Sequence, residues 1–237
     1  MNLEGYLLKP TQKLDSSRVR RFVLPDRKTR ITQITTFCPD IIGPGPTHLY
    51  LIENEALVLL DTGMPTKLVK IFFFDSRNQV LPSDIRSLPD DYSKQELLEG
   101  LRLAGYSLKD IDLLVFSHGH PDHFLMGRWI SDQACCQVTA HALDTSEICN
   151  PWGMLERWFH LRNKTKAMGM PQPKGVEDSS NSYFENLSVE HLDLSPTLSF
   201  PIIQEGRLRL NGSPLEGIEI KHLPGHSPGS VGLIVGQ

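Results

Sequence analysis

The chain has 237 residues, of which 39% are hydrophobic and 22% charged, and its formal net charge is −4. That length can bury the core of one large domain or two small ones. The negative balance argues against a protein that grips a phosphate backbone, and no run approaches the ~20 apolar residues of a membrane span.

Residues 1–30 read as an N-terminal extension or first strand region. Met1–Leu14 carries no long apolar stretch, so no signal peptide is expected and a cytoplasmic protein is the default. Arg18, Arg20, Arg21, Arg27, Lys28 and Arg30 form a basic run broken by Phe22-Val23-Leu24. Its sharp reading is a site for an anionic substrate or nucleic acid; its bland reading, which we favour, is a solvated strand face beside a turn at Pro25-Asp26.

Ile31–Phe37 is β-branched and alternating, hence a strand. After the Gly/Pro loop Asp40–Pro46, His48–Ile52 and Ala56–Leu60 read as an antiparallel hairpin around a turn at Glu53-Asn54-Glu55. The second strand runs into Asp61-Thr62-Gly63, which sets a carboxylate at the rim of a sheet. Thr66–Phe74 is apolar, and Pro82–Asp91 reads as a loop. Ser93–Ala104 has the pattern of a helix, with Ser93 as N-cap, Glu96 three residues on, and Gly105 as the stop.

Ile111–Phe116 is an apolar strand, and directly after it stands Ser117-His118-Gly119-His120-Pro121-Asp122-His123. Three imidazoles and a carboxylate within six residues serve no packing purpose, whereas their nitrogen and oxygen donors suit zinc, iron or manganese. Strand, helix, strand at this spacing points to an α/β layered arrangement. Phe124–Ser131 is expected to begin a helix that aims its N-terminal amides back at the His loop. Gln137–Ala140 is a short strand, and Ala142–Met168 is helical in pattern, with Asn150 capping a new start and Pro151 at its first position. Residues 169–199 look like a surface excursion.

From Pro201 the chain returns to strands: Pro201–Ile203, Arg207–Leu210, Glu216–His222 and Ser230–Val235. The last two are joined by Leu223-Pro224-Gly225-His226-Ser227-Pro228-Gly229, where Pro and Gly stiffen a loop around one His. Cys38, Cys135, Cys136 and Cys149 form no CxxC pair and read as reduced, mostly core thiols. His141 and His222 are assigned structural or turn roles.

The His-x-His-x-Asp-His element, the earlier Asp-Thr-Gly strand end and the later Pro-Gly-His-Ser-Pro-Gly-Ser loop, in that order, resemble the metallo-β-lactamase-fold hydrolase superfamily, glyoxalase II-like members included. The resemblance covers roughly residues 31–237. It implies an α/β (α+β) fold, the αββα sandwich, with one or two zinc ions at the sheet edge; iron or manganese is admitted by the same donors. Carried over residue by residue, it implies His118, His120 and His226 around a first ion, and Asp122 and His123 around a second. Asp122 would also be the catalytic residue, orienting the nucleophile or helping to deliver a proton to the leaving group.

Asp61 is expected to hydrogen-bond the metal loop and orient a ligand His, and Ser117 and Ser227 to support the same groups. The chain stops before the further Asp and His that complete the second ion site in relatives, so a fragment lacking the C-terminal part of the sandwich is expected. Residues 142–199 offer room for a helical lid insertion, with Trp152, Trp158 and Phe159 towards the substrate; an equal alternative is that this segment is simply the helix layer packing on the sheet.

The expected function is a zinc-dependent hydrolase of a small ester, thioester, lactone or amide, with a metal-bound hydroxide as nucleophile. The alternatives are a metallonuclease or phosphodiesterase of the same fold, which needs a basic groove, and a mononuclear iron, persulfide-dioxygenase-like enzyme. The expected partner is a small-molecule substrate, with no nucleic acid and no membrane; a homodimer is left open.

Overall fold

The computed structural model describes residues 6–9, 19–25, 28–37, 46–74, 86–154, 157, 164, 167–169 and 194–236, with 6–9 and 71–74 by backbone alone. The expectations for Cys38, Trp158, Phe159 and most of 169–199 fall outside these residues.

Among the described residues, eleven strands form two sheets. The large one runs β1 (Tyr6–Lys9), β2 (Val19–Val23), β3 (Arg30–Thr36), β4 (Thr47–Glu53), β5 (Leu57–Leu60), β6 (Leu113–Val115), β7 (Gln137–His141) and β8 (Phe200–Ile202), in sequence order. Its first half is an antiparallel meander, and from β5 onward the pairing is parallel. The switch follows from the connections. A tight turn at Asn54-Glu55 joins β4 to β5, whereas β5 reaches β6 only through a helical crossover, as parallel pairing requires. The small sheet, β9 (Gly206–Leu210), β10 (Ser213–His222) and β11 (Val231–Val235), is antiparallel throughout.

The two faces of the large sheet bury different partners. One face packs on helices α1 (Thr66–Phe74), α2 (Tyr92–Ala104), α3 (Pro121–Phe124), α4 (Gly127–Ala134) and α5 (Thr145–Ile148). There Ile34, Leu49, Leu51 and Leu59 meet Leu68, Leu97, Leu101, Phe124 and Ile130. The other face packs Ile52, Val58, Leu113 and Val115 on Leu208, Leu215, Ile218, Ile220 and Val231 of the small sheet. None of the described helices contributes to this second cluster. Each fully buried side chain of this kind contributes about 1.5–3 kcal/mol, so continuous apolar runs such as β5 and β6 follow from being covered on both faces. Helix-to-sheet contact is close: a Cβ at Gly100 of α2 would lie 2.6 Å from Ile34 Cγ2, and one at Gly127 would lie 2.4 Å from Phe116 Cζ.

Several local expectations are corrected. Helix α2 starts at Tyr92 after Asp91, with no side-chain cap. Ser93 is buried instead, its hydroxyl paired with Thr66 Oγ1 at 2.7 Å, a bond that ties α2 to α1. Gly105 does end the helix, at φ 92. The helix expected from Phe124 begins earlier, at Pro121 inside the His motif, and breaks at Leu125-Met126 before α4. Proline fits that first helical position because its missing N–H would have no partner there. The described thiols are not fully buried: Cys135 and Cys149 are exposed and Cys136 is half-buried against the helix-side core, all three free.

Two cations of the basic run are taken up by the fold. Glu53, expected in a turn, is the last residue of β4 and is 4% exposed. Arg21 Nη2 reaches its Oε1 at 3.0 Å, Arg30 Nε its Oε2 at 2.8 Å, and the Tyr106 hydroxyl donates to Oε2 at 3.2 Å. Arg21 and Arg30 are therefore spent on one internal carboxylate. No helix among the described residues is long and apolar enough to cross a membrane.

Candidate metal centre

Strand β6 ends where its parallel partner β7 takes a last hydrogen bond, Phe116 N donating to Thr139 O at 3.0 Å. Ser117–His120 then form an irregular loop, and Pro121 starts α3 with His120 as its extended N-cap residue. This sharp exit from the sheet turns His118 and His120 to the same side. Their ring centroids lie 4.7 Å apart. The loop between β10 and β11 brings His226 to the same place, 4.8 Å from the His118 ring and 4.4 Å from the His120 ring.

One ligand nitrogen from each of His118, His120 and His226 lies within 4.8 Å of the others. Asp122 and His123 stand beside this group and not in it. His123 Nε2 faces Asp122 Oδ2 at 3.4 Å, and His123 Nδ1 faces Asp61 Oδ2 at 2.8 Å.

The electrostatics divide along the same line. Burial, reinforced by the neighbouring imidazoles, pushes His118 down to about 3, and burial followed by His226 lowers His120. Both rings are therefore held neutral at neutral pH. Burial also opposes charge on His123, but hydrogen bonds to Asp122 and Asp61 outweigh it and raise that ring to about 10. Asp122 is lowered: the hydrogen bond and charge of His123 overcome its own burial.

His118 Nε2 is buried with no hydrogen-bond partner among the described residues. A buried polar atom without a partner costs free energy and calls for one. A nitrogen-seeking cation meets that need, and neutral imidazoles are suitable donors for it. The chemistry of the donor set therefore fits a divalent metal ion.

Asp61 organises the loop from beneath. It is 4% exposed and sits at φ 65, a left-handed conformation uncommon for non-glycine residues and typical of functional sites. Its Oδ1 accepts from Ser117 N and its Oδ2 from Ser117 Oγ, both at 2.7 Å. Ser117 Oγ also lies 2.9 Å from His118 Nδ1. Thr62 clamps the next turn, its N–H and hydroxyl both donating to His123 O, at 2.8 and 3.0 Å. Gly63, at φ 80, cannot carry a side chain, because a Cβ would stand 2.8 Å from Thr36 Oγ1.

The hydroxyl of Ser227 turns to a different partner, donating to Asp144 Oδ2 at 2.5 Å. Trp152 is half-buried against the helix-side core. His141 stacks on His222, centroids 4.2 Å apart and planes 8° from parallel, and neither belongs to the three-imidazole group.

Sequence reasoning missed Asp144. It follows β7 with no motif around it, and only its place in space, between the two histidine loops, marks it out.

The sequence profile of the metallo-beta-lactamase superfamily matches residues 42–237. Among solved structures, a metallo-beta-lactamase family protein of Thermus thermophilus is similar at a TM-score of 0.55 and 16% identity, covering 86% of this chain and 55% of its own. The FEZ-1 metallo-beta-lactamase from Legionella gormanii compares at a TM-score of 0.47 and 14% identity, covering 88% of this chain and 55% of its own. The chain thus spans about half the length of these proteins. At such identity the likeness to the Thermus protein is one of fold. No curated protein matches. A profile match over most of the chain, on a fold that gathers its histidines at the sheet edge, establishes that the chain belongs to the metallo-beta-lactamase superfamily.

Proposed function

We propose that His118, His120 and His226 hold a divalent metal ion, zinc by preference, and that the chain contributes to hydrolysis of a small ester, thioester, lactone or amide. The observation that carries this reading is the convergence of the three imidazoles around the unpartnered, buried Nε2 of His118. Three neutral histidines are the donor set of a catalytic zinc site that keeps an open position. A non-haem iron oxygenase uses two histidines and a carboxylate, and here the carboxylate of Asp122 is engaged with His123 instead. That favours hydrolysis over persulfide-type oxygenation. The N-terminal run lends a phosphodiesterase role less support, since two of its cations, Arg21 and Arg30, face Glu53.

A bound divalent ion supplies Lewis acidity and lowers the pKa of water to about 7. The chain's own residues do the rest. Asp122, held in its charged form by His123, accepts the proton that water loses as its oxygen bonds to the carbonyl carbon. It returns that proton to the leaving heteroatom as the acyl bond breaks. Asp61 fixes the His123 ring through Nδ1, so the partner of Asp122 does not rotate.

The test is metal analysis of the purified protein alongside a panel of thioester, lactone, amide and phosphodiester substrates. Zinc near one equivalent, with activity on a carbonyl substrate that chelation abolishes, is the expected result. Activity undiminished in metal-free protein would overturn the reading, and turnover confined to the phosphodiester would replace it with the nuclease alternative.

A further inference from the structure

We propose that Asp144 is a positioning residue that fixes the spacing between the loop carrying His118 and His120 and the loop carrying His226. Asp144 is 2% exposed, at the end of the 3-10 turn that follows β7. Its Oδ2 accepts from Gly119 N at 2.9 Å and from Ser227 Oγ at 2.5 Å, and its Oδ1 accepts from Gly229 N at 2.7 Å. Gly119 lies between His118 and His120, while Ser227 and Gly229 follow His226. One carboxylate therefore bridges both loops through groups one to three residues from the imidazoles.

The fit requires glycine at 229 and is tight at Gly119, where a Cβ would also stand 3.2 Å from Glu147 Cβ. A Cβ at Gly119 would lie 3.3 Å from Asp144 Cβ, and one at Gly229 would lie 2.6 Å from Asp144 Cγ. Both loops have given up a side chain where the carboxylate wedges in. An ionised carboxylate is acceptor-only, so three donors converging on it are satisfied at once, and bonds to a charged acceptor are the stronger kind.

The His226 loop is otherwise stiffened from within, by Ser230 Oγ accepting from Ser227 N at 3.0 Å. It is joined to the His118 loop directly by Val231 N donating to Ser117 O at 2.8 Å. Removing Asp144 would leave that strand-end bond to set the distance of His226, the ligand that arrives from far along the sequence. A donor already in place before the ion arrives spares binding the cost of ordering the loop.

This inference rests on the metal reading above, and the experiment separates the two. Zinc affinity is measured by competition with a chromophoric chelator on the full chain, for wild type, Asp144→Asn, His226→Ala and the double variant. The amide keeps the shape of the carboxylate but turns a donor towards donors. Asp144→Asn is expected to weaken zinc about 10- to 100-fold, the usual cost of losing a partner behind a ligand, and to alter the visible spectrum of the cobalt-substituted protein.

In the His226→Ala background the same change should leave affinity unaltered, because its effect runs through that ligand. Losses that add in the double variant overturn the proposal, as does wild-type affinity in Asp144→Asn. Ser227→Ala, which removes one of the three bonds, is expected to give a smaller loss that also vanishes without His226. It decides the matter if Asp144→Asn does not fold. Wild type that binds no zinc brings down the metal reading itself.

Discussion

Asp61 Oδ2 and His123 Nδ1 stand 2.8 Å apart, and the same carboxylate takes both the amide and the hydroxyl of Ser117. A residue one strand away thus orients the histidine that faces Asp122 and anchors the loop that carries His118.

Asp61→Asn tests that arrangement while keeping a residue type that tolerates the left-handed backbone. One oxygen is lost, and an NH2 group is turned towards the donors of Ser117 or His123. Buried donors left unmatched cost about 1–3 kcal/mol, so the denaturation midpoint should fall accordingly. Zinc affinity should fall with it, by about tenfold or more. Unchanged stability and unchanged zinc titration would show that Asp61 merely fills space.

Metal loading should be visible as stability. An ion that binds only the folded chain adds about 2.7 kcal/mol at a hundredfold excess over its dissociation constant, which for a chain of this size raises the melting temperature by about 5–10 °C. Zinc should produce that shift in wild type and fail to do so in His118→Ala. His123→Ala should keep a substantial part of it, because His123 lies outside the three-imidazole group. Equal losses in both variants would show that the ion sits between the two sets of ligands. Thermal denaturation with and without zinc reads the difference.

The pH dependence of the metal-free protein follows from two histidines shifted in opposite directions. His118 is held at about 3, whereas an unfolded histidine takes up its proton near about pH 6.5. Between these values the unfolded chain binds a proton that the folded chain refuses, so stability falls as the pH is lowered through that window. His123, raised to about 10, stabilises the fold fully below about pH 6.5 and ceases to do so as the pH rises through its folded value. Urea midpoints of metal-free protein should therefore be highest near about pH 6.5 and fall on both sides. His118→Ala should reduce the acid limb and leave the alkaline one, with His120, also lowered by burial, supplying what remains of it. A midpoint that climbs steadily into the alkaline range would contradict the assignment for His123.

Much of this architecture was legible because it depends on periodicity and density. β3, β4, β5 and α2 appear where alternation and helical spacing place them, and the parallel half of the sheet follows from a helix lying between β5 and β6. The concentration of histidine after β6 marked the site at once. What was illegible depends on contacts between distant segments. Ser93 looks like a cap until Thr66 is seen to take its hydroxyl, and Asp144 has no neighbours in sequence that announce it. Glu53 beside Asn54 has the composition of a turn, and only the register of β2 and β3 reveals two arginines waiting for it.

Glu53 yields the last prediction. It is buried with Arg21, which is itself only 12% exposed, while the second partner Arg30 is 46% exposed. Breaking a buried pair by deleting one partner leaves an uncompensated charge and costs about 3–5 kcal/mol. Glu53→Ala strands Arg21 between β2 and α2, where its remaining strong acceptor is Ala104 O at 2.7 Å. The expected outcome is a loss of that order in denaturant unfolding. Arg30→Ala should cost far less, since water already screens its charge. Zinc affinity in the folded fraction of both variants should match wild type, because the cluster of Glu53, Arg21, Arg30 and Tyr106 lies on strands and a turn that carry none of the three imidazoles. A Glu53→Ala protein that folds normally but loses zinc would instead tie the basic N-terminal strand to the site.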